Sequence, residues 1–150
     1  MSVTFRAARP DEVGAVMALL REDRAPGTPP VRDEDPMAQY LAMIGDGTTQ
    51  LIVGVDGDTV VACYQLTILH LVSPSIPIRA QLESVRVRAD LRGQGIGTAL
   101  MEDAQDRARA ARATLMQFTS NTARADAHRF YERLGFSATH AGFKKELGTG

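Results

Sequence analysis

The chain has 150 residues, of which 44% are hydrophobic and 23% are charged, and its formal net charge is -1. A chain of this size can bury its own core, so one domain spanning residues 1–150 is expected, and a charge near zero disfavours nucleic acid as a partner. With one cysteine, no basic and apolar leader and no apolar run of ~20 residues, we expect a cytoplasmic protein without an internal disulfide or a membrane partner.

The first predicted elements are a strand and two helices. Residues 3–7 alternate apolar and polar side chains as a strand does, and Pro10 opens an amphipathic helix that runs to about Asp23. A proline-rich loop at residues 24–35 precedes a second helix at about residues 36–44, which Gly45-Asp46-Gly47 ends. The stripe Met37, Tyr40, Leu41 and Ile44 has helical spacing and is expected in the core.

The second half of the chain alternates strands and helices. Residues 50–55 and 59–72 indicate two strands joined at the hairpin turn Asp56-Gly57, and residues 78–88 indicate a third. Further elements are predicted as a helix to about residue 112, a strand at residues 114–119, a helix at about residues 123–134 and a last strand at residues 136–147. This order predicts one α/β domain.

The segment Arg92-Gly93-Gln94-Gly95-Ile96-Gly97 joins a predicted strand to a predicted helix. A glycine-rich turn in that position exposes consecutive backbone N–H groups, which bind phosphate oxygens. Two common phosphate-binding patterns do not fit. No lysine follows Gly97, as a nucleoside-triphosphate loop requires, and the next strand ends at Phe118-Thr119-Ser120-Asn121 without an acid for a ribose.

Two motifs together resemble the GNAT superfamily of acyl-CoA-dependent N-acetyltransferases. They are Arg92-x-x-Gly95-x-Gly97, similar to its pyrophosphate motif, and Phe130-Tyr131-x-x-Leu134-Gly135-Phe136, similar to its C-terminal signature. The segment from Asn121 to Tyr131, with Asp126-Ala127-His128-Arg129-Phe130-Tyr131, resembles the branch that includes aminoalkylphosphonate N-acetyltransferases. The resemblance implies an α+β fold, with a mixed and largely antiparallel twisted sheet of six to seven strands, about four helices and a splay at the cofactor cleft.

The resemblance also implies acetyl-CoA as the donor, and it implies no metal. The backbone of Val85 and Val87 would bind the thioester and pantetheine groups. The pyrophosphate would be held by Arg92, Gly93, Gln94, Gly95, Ile96, Gly97 and Thr98. Many members carry an asparagine seven residues before the tyrosine. Because this chain has Arg124 there and Asn121 three residues earlier, either residue is a candidate cofactor contact.

Glu83 is the candidate general base, because an alkylamine with a pKa of about 10.4 is protonated at pH 7 and must lose a proton before it attacks. Alternation along the strand predicts that Glu83, Val85 and Val87 share one face. In the structural alternative, Glu83 only pairs with Arg79 or Arg86. Tyr131 is the candidate general acid for the departing thiolate, or else a tyrosine of the core that positions the cofactor.

The predicted activity is direct acetyl transfer to the primary amine of a small molecule. No covalent intermediate is required, because Cys63 is far in sequence from the motifs. Two alternatives stay open: acetylation of a protein or peptide, and an acyl-CoA-binding module without turnover. GNAT proteins are often dimers, so a homodimer is one expectation. His128 is interpreted as a surface residue bonded to Asp126 or Arg124, and not as a metal ligand.

Overall fold

A computed structural model describes residues 2–22, 24, 27–32, 34–122 and 124–148 of the chain. The chain divides into two compact units, residues 1–118 and 119–150. The predicted helix ends at Asp23 and Ala123 lie outside the described residues, as does part of the predicted loop at residues 24–35. That residues 1–150 form a single domain stays a prediction.

The first unit is built on one sheet, to which the described residues contribute five strands in chain order. The strands are β1 (Thr4–Ala7), β2 (Thr49–Asp56), β3 (Thr59–His70), β4 (Ile78–Val87) and β5 (Leu115–Gln117). Neighbours from β1 to β4 are antiparallel, whereas β5 runs parallel to β4. The mixed, largely antiparallel α+β architecture is therefore confirmed, but the predicted count of six to seven strands is wrong.

The last predicted strand, at residues 136–147, accounts for part of that difference. The structure describes every residue from 134 to 148 and contains no strand among them. Phe143 and Leu147 are 95% and 93% exposed, so the segment has no buried apolar face of the kind that holds a strand in place. The apolar residues Phe136, Phe143 and Leu147 are not spaced by two, so alternation did not support a strand here.

Four α-helices lie within the described ranges, and all four were predicted. They are α1 (Val13–Glu22), α2 (Pro36–Asp46), α3 (Ile96–Ala110) and α4 (Ala125–Arg133). Single 3-10 turns at Pro10–Glu12 and Ala89–Leu91 precede α1 and α3. None of the helices in the described part of the chain is long and apolar enough to cross a membrane.

The sheet has apolar residues buried on both faces. One face packs against α1 and α2, and its cluster consists chiefly of Val13, Val16, Leu19, Tyr40, Leu51, Val53, Val55 and Cys63. On the other face α3 lies against β3 and β4. Buried side chains there include Tyr64, Leu66 and Leu82 of the strands and Leu100, Met101 and Ala104 of the helix.

The predicted core stripe of α2 is only partly correct. Tyr40 is buried, and its hydroxyl donates a hydrogen bond to the carbonyl of Ala8 at 3.2 Å. Met37, Leu41 and Ile44 are instead 36%, 58% and 52% exposed. The helix turns toward the sheet the side that carries Tyr40, so residues on the neighbouring side stay outside the core.

Candidate functional site

Strand β4 changes its surroundings halfway along its length. Its first part lies between two strands, because Arg79, Ala80 and Gln81 pair with β5 while also pairing with β3. From Leu82 onward, β3 is the one neighbour that β4 has among the described strands. The second backbone edge of β4 is therefore not used by the sheet after Gln81.

A β-bulge lies in this second part of β4. The pairing steps from Gln65 opposite Glu83 to Cys63 opposite Arg86, so two residues of β4 stand against one of β3. Ser84 in the bulge has a φ of 55°, a left-handed conformation that is uncommon outside glycine. The inserted residue shifts the alternation of side chains for the rest of the strand.

The bulge brings Glu83 and Arg86 to the same face of the sheet. Residues paired across two strands point to one side, and Gln65 and Cys63, their partners, are two apart on β3. Without the bulge, a spacing of three would place the two side chains on opposite faces. The sequence analysis considered Arg86 only as an ion-pair partner of Glu83, and it did not predict the bulge that brings the two residues to one face.

The same shift corrects the prediction that Glu83, Val85 and Val87 share a face. Val87 pairs with Ala62, which lies on the face opposite that of Glu83's partner. Val85, two residues before Val87, lies on the same side as Val87. The predicted common face is wrong, because period-two alternation fails across a bulge.

The backbone N–H groups of Val85 and Val87 are directed away from β3. The backbone N–H of Arg88 donates a hydrogen bond to the carbonyl of Val61 at 2.8 Å, so this N–H group is directed toward β3. Because N–H groups alternate along a strand, those of Val87 and Val85 are directed to the edge that β5 does not reach. Extended amide groups of a ligand could be bound along that edge.

Glu83 is exposed, and its carboxylate forms no ion pair or hydrogen bond with another described residue. Neither of the two arginines considered for the structural alternative pairs with it. Arg79 and Arg86 each have a buried Nε that lacks a partner within the described residues. A carboxylate in water and without a cation beside it can accept a proton from an incoming amine, directly or through a water molecule.

The glycine-rich turn follows β4 and the 3-10 turn. Gly93 and Gly95 have φ angles of 80° and 82°, which glycine adopts without a steric penalty. A Cβ built on either glycine would meet no heavy atom of the described chain within 4 Å. Conformation rather than crowding therefore requires these glycines, and there is room beside them for a ligand.

Gly95 is the N-cap of α3 and supplies no side chain to the helix start. The first helical hydrogen bond runs from the N–H of Ala99 to the carbonyl of Gly95 at 3.1 Å. The N–H groups of Ile96, Gly97 and Thr98 therefore have no acceptor within the helix, and no acid lies in the first turn. These donors lie at the positive end of the helix dipole, so the turn fits a diphosphate.

The side chains around the turn are accessible. Gln94 is exposed, and Arg92 donates from its Nε to the carbonyl of Val87 at 3.3 Å. That hydrogen bond connects the turn to the end of β4. The residues from Arg92 to Thr98, together with the free edge of β4, therefore lie within one compact unit.

The remaining predicted site residues belong to the second unit. Tyr131 on α4 is half-buried, and its ring contacts Phe130 and Phe136 edge to face, with centroids 5.3 Å and 6.4 Å away. Arg124 is the N-cap of α4, and its N–H donates to the carbonyl of Asn121 at 3.0 Å. Their proposed roles toward a cofactor stay predictions.

His128 takes part in the same helix start. Its Nε2 lies 3.0 Å from the carbonyl oxygen of Asn121, so the predicted partners Asp126 and Arg124 are wrong for this side chain. The described residues contain no group of three or more histidine, cysteine or acidic side chains that could hold a metal ion.

Cys63 lies close to the bulge, although it is distant in sequence from the glycine-rich turn. It is fully buried, and its Sγ lies 3.6 Å from the carbonyl oxygen of Ser84. Burial raises the pKa of the Cys63 thiol to about 12, although the charge of Arg86 acts in the opposite direction. The thiol therefore stays protonated near neutral pH and is a poor nucleophile.

Comparison with known proteins gives the family. A family model described as the acetyltransferase (GNAT) family matches residues 17–136. A curated relative, aminoalkylphosphonate N-acetyltransferase of Salmonella typhimurium (strain LT2), is 40% identical over 67 residues, which are 45% of this chain and 44% of that protein. The chain thus matches less than half the length of that relative.

Two solved structures share the fold over nearly the whole chain. A transcriptional regulator from Bacillus halodurans C-125 is 33% identical, with coverage of 97% of this chain and 100% of the other and a TM-score of 0.88. Glucosamine-6-phosphate N-acetyltransferase from Arabidopsis thaliana is 17% identical, covers 99% and 100%, and has a TM-score of 0.78. The second likeness concerns the fold alone. Because the family model covers most of the chain and its fold is the one observed, this chain belongs to the GNAT family of acetyltransferases.

Proposed function

We propose that this chain transfers an acetyl group from acetyl-CoA directly to the primary amine of a small molecule. One observation carries the proposal. A single strand, β4, bears an exposed carboxylate without a partner, Glu83, and leads into a helix start whose N–H groups have no acceptor in the described chain. A candidate base and an anion-binding turn thus follow one another along one stretch of the chain, from β4 to the start of α3.

The donor would be held by backbone groups. The N–H groups of Ile96, Gly97 and Thr98 would bind its pyrophosphate, with Arg92, Gly93, Gln94 and Gly95 around it. The N–H groups of Val85 and Val87 would bind its pantetheine amides and thioester carbonyl along the free edge of β4. Acetyl-CoA is the donor that this family uses, and when bound it supplies the acetyl group as a thioester.

Glu83 would accept a proton from the ammonium form of the acceptor. The neutral amine would then add to the thioester carbonyl and form the new C–N bond. The C–S bond would break afterwards to release the thiolate, and the extra proton on the attached nitrogen would pass to water. Tyr131 would donate a proton to the departing thiolate or position the donor. Asn121 or Arg124 would add a side-chain contact to the donor.

Direct transfer is favoured over an acetyl-enzyme because of the state of Cys63. A thiol that is buried, with a pKa raised to about 12, is not a thiolate at neutral pH. A small-molecule acceptor is supported by the curated relative, whose name describes an enzyme that acetylates aminoalkylphosphonates. Acetylation of a protein or peptide is the alternative acceptor class.

The test uses Glu83→Gln, with Glu102→Gln on the exposed side of α3 as the matched control. After an amine acceptor has been found by a thiol-release screen, Glu83→Gln should lower kcat about 10²- to 10⁴-fold and flatten the acidic limb of the pH profile. Affinity for acetyl-CoA, measured by calorimetry, should not change in either variant.

Each part of the proposal can fail separately. An unchanged rate and pH profile in Glu83→Gln would remove Glu83 as the base. Binding of acetyl-CoA without thiol release from any amine or peptide would favour a module without turnover. Release with peptides but not with small amines would favour the protein-modifying alternative.

A further inference from the structure

One face of β4 is polar along its whole length, although β4 pairs with strands on both sides over its first part. Arg79, Gln81, Glu83 and, after the bulge, Arg86 point to this face, and we call these four residues the β4 polar strip. The alternate residues Ala80 and Leu82 are buried on the other face. The apolar cluster of α1 and α2 includes residues of β2 and β3 but none of the strip.

The two arginines of the strip are half-buried and have no carboxylate partner among the described residues. Each has an Nε atom that is buried without a hydrogen bond. The Nη1 of Arg86 donates to the carbonyl of Val85 at 3.0 Å, which holds the guanidinium beside the bulge. A charged donor left buried without an acceptor is destabilising, so an anion from outside the chain would be stabilised there.

Other arginines of the first unit do have such partners. Arg6 pairs with Glu12 at 2.7 Å, and Arg107 pairs with Asp103 at 2.8 Å. None of the cross-strand partners described for the strip is an acid, and Glu83, the one acid within the strip, does not form an ion pair with Arg86. The strip therefore holds, on adjacent positions of one face, a carboxylate without a partner and a guanidinium that has no carboxylate partner among the described residues.

The bulge sets the distance between these two groups. The β3 partners of Glu83 and Arg86 are two residues apart, so the two Cα atoms are separated by about 7 Å along the sheet. Arg79 lies four residues from Glu83 in the opposite direction along β4, at a distance of about 13 Å. A short acceptor that places its amine at Glu83 can therefore reach Arg86 with its other end, but not Arg79.

Resting on the proposed function, we propose that the acceptor is a short amine that carries an anionic group, and that Arg86 binds this anion while the amine faces Glu83. Phosphonate, phosphate and carboxylate share the required chemistry, because each offers oxygens to a guanidinium fork. Arg86 is in this view a specificity residue that contacts the acceptor and not the reacting atoms.

The test compares four amines of similar length in a thiol-release assay with saturating acetyl-CoA. They are 2-aminoethylphosphonate, O-phosphoethanolamine, β-alanine and the neutral propylamine. The wild-type protein should prefer at least one anionic amine to propylamine by about 100-fold in kcat/KM, and the ranking of the three anions identifies the group that is recognised.

Arg86→Gln should remove this preference by raising KM for the anionic amines. Arg86→Lys keeps a cation and should therefore retain part of the preference. Such a result shows that the loss in Arg86→Gln comes from the missing cation and not from misfolding. Arg79→Gln is the matched control, because it removes from the same face another arginine whose Nε is buried without a partner, at the greater distance from Glu83.

Several results would overturn the inference. It fails if propylamine is acetylated as well as the anionic amines, an outcome that leaves the proposed acetyl transfer intact. It also fails if Arg79→Gln, and not Arg86→Gln, removes the preference. If no amine is acetylated, the proposed function fails. Calorimetry with the acetyl-CoA-bound protein then tests the anion site by itself. The anion site is overturned as well if 2-aminoethylphosphonate and propylamine bind equally, or if neither binds.

Discussion

Helices α2 and α3 begin in opposite ways. At the start of α2, the carboxylate of Asp35 accepts the N–H of Met37 at 3.0 Å, and Pro36 removes a further donor. The start of α3 has Gly95 as its N-cap, no side-chain hydrogen bond and no acid in its first turn. One helix start is completed by the chain itself, and the other leaves its donors for something else.

In the turn before α1, as at the start of α2, a carboxylate of the chain accepts a backbone N–H. The carboxylate of Glu12 accepts the N–H of Arg9 at 2.8 Å and pairs with Arg6. Leaving the α3 donors without an acceptor forgoes stabilisation that a capping side chain provides, typically about 1 kcal/mol. The contrast supports the proposal that the α3 start binds an anionic ligand, whereas the starts of α1 and α2 are stabilised by side chains of the chain itself.

The largest expected effect comes from filling the α3 start. Gly95→Trp should weaken binding of acetyl-CoA about 100-fold, because the side chain would occupy the space beside the open N–H groups. Gly47→Trp at the end of α2 is the matched control, since Gly47 has a φ of 77° against 82° for Gly95 and equally open surroundings. Calorimetry measures both. Tight binding by Gly95→Trp, or equal loss in both variants, would contradict a role for the α3 start.

The contribution of the turn before α1 to the free energy of unfolding should depend on pH. The hydrogen bond from Arg6, supported by the N–H of Arg9, lowers the pKa of Glu12 from 4.5 to about 2. A group whose pKa is lowered by folding stabilises the protein above its unfolded pKa, so this contribution is lost as the pH falls from about 4.5 to 2. We expect about 1–2 kcal/mol, because the ion pair is partly screened by solvent.

Urea unfolding at a series of pH values checks this. Glu12→Gln should be less stable than the wild type at pH 7, and the difference should shrink below about pH 4.5 until the two proteins converge near pH 2. A difference that stays constant over the whole range would show that the Glu12 carboxylate is not responsible. Binding of acetyl-CoA at pH 7 should be the same in both proteins.

The order of the elements and the open α3 start were predictable from the sequence, whereas the arrangement of β4 was not. Hydrophobic periodicity and glycine turns are local signals, and they located α1 to α4 and the first five strands. The bulge at Ser84 has no local signal, because a serine can form an ordinary strand and its φ of 55° follows from the pairing with β3. The common face of Glu83 and Arg86 and the closeness of Cys63 to the bulge were not predicted for that reason.

A moderate effect is expected from removing the α2 cap. Asp35→Ala should lower the free energy of unfolding by about 1 kcal/mol, because the N–H of Met37 then lacks its acceptor. Asp35→Asn keeps a side-chain oxygen and should lose much less. Neither variant should change the affinity for acetyl-CoA, and a clear loss of affinity in Asp35→Ala would mean that the two helix starts are not functionally distinct.

The smallest effects should come from giving α3 the acid that it lacks. Thr98 is in the first turn, where a carboxylate interacts favourably with the helix dipole, so Thr98→Asp should raise the free energy of unfolding by about 0.3–1 kcal/mol. The same negative charge should repel a diphosphate and weaken acetyl-CoA binding about three- to ten-fold. Asparagine has nearly the shape of aspartate but no charge, so Thr98→Asn separates the effect of the charge from the effect of losing the threonine. Opposite changes in stability and affinity are expected only where a helix start is reserved for an anion, so a variant that gains stability and keeps its affinity would contradict the comparison between α2 and α3.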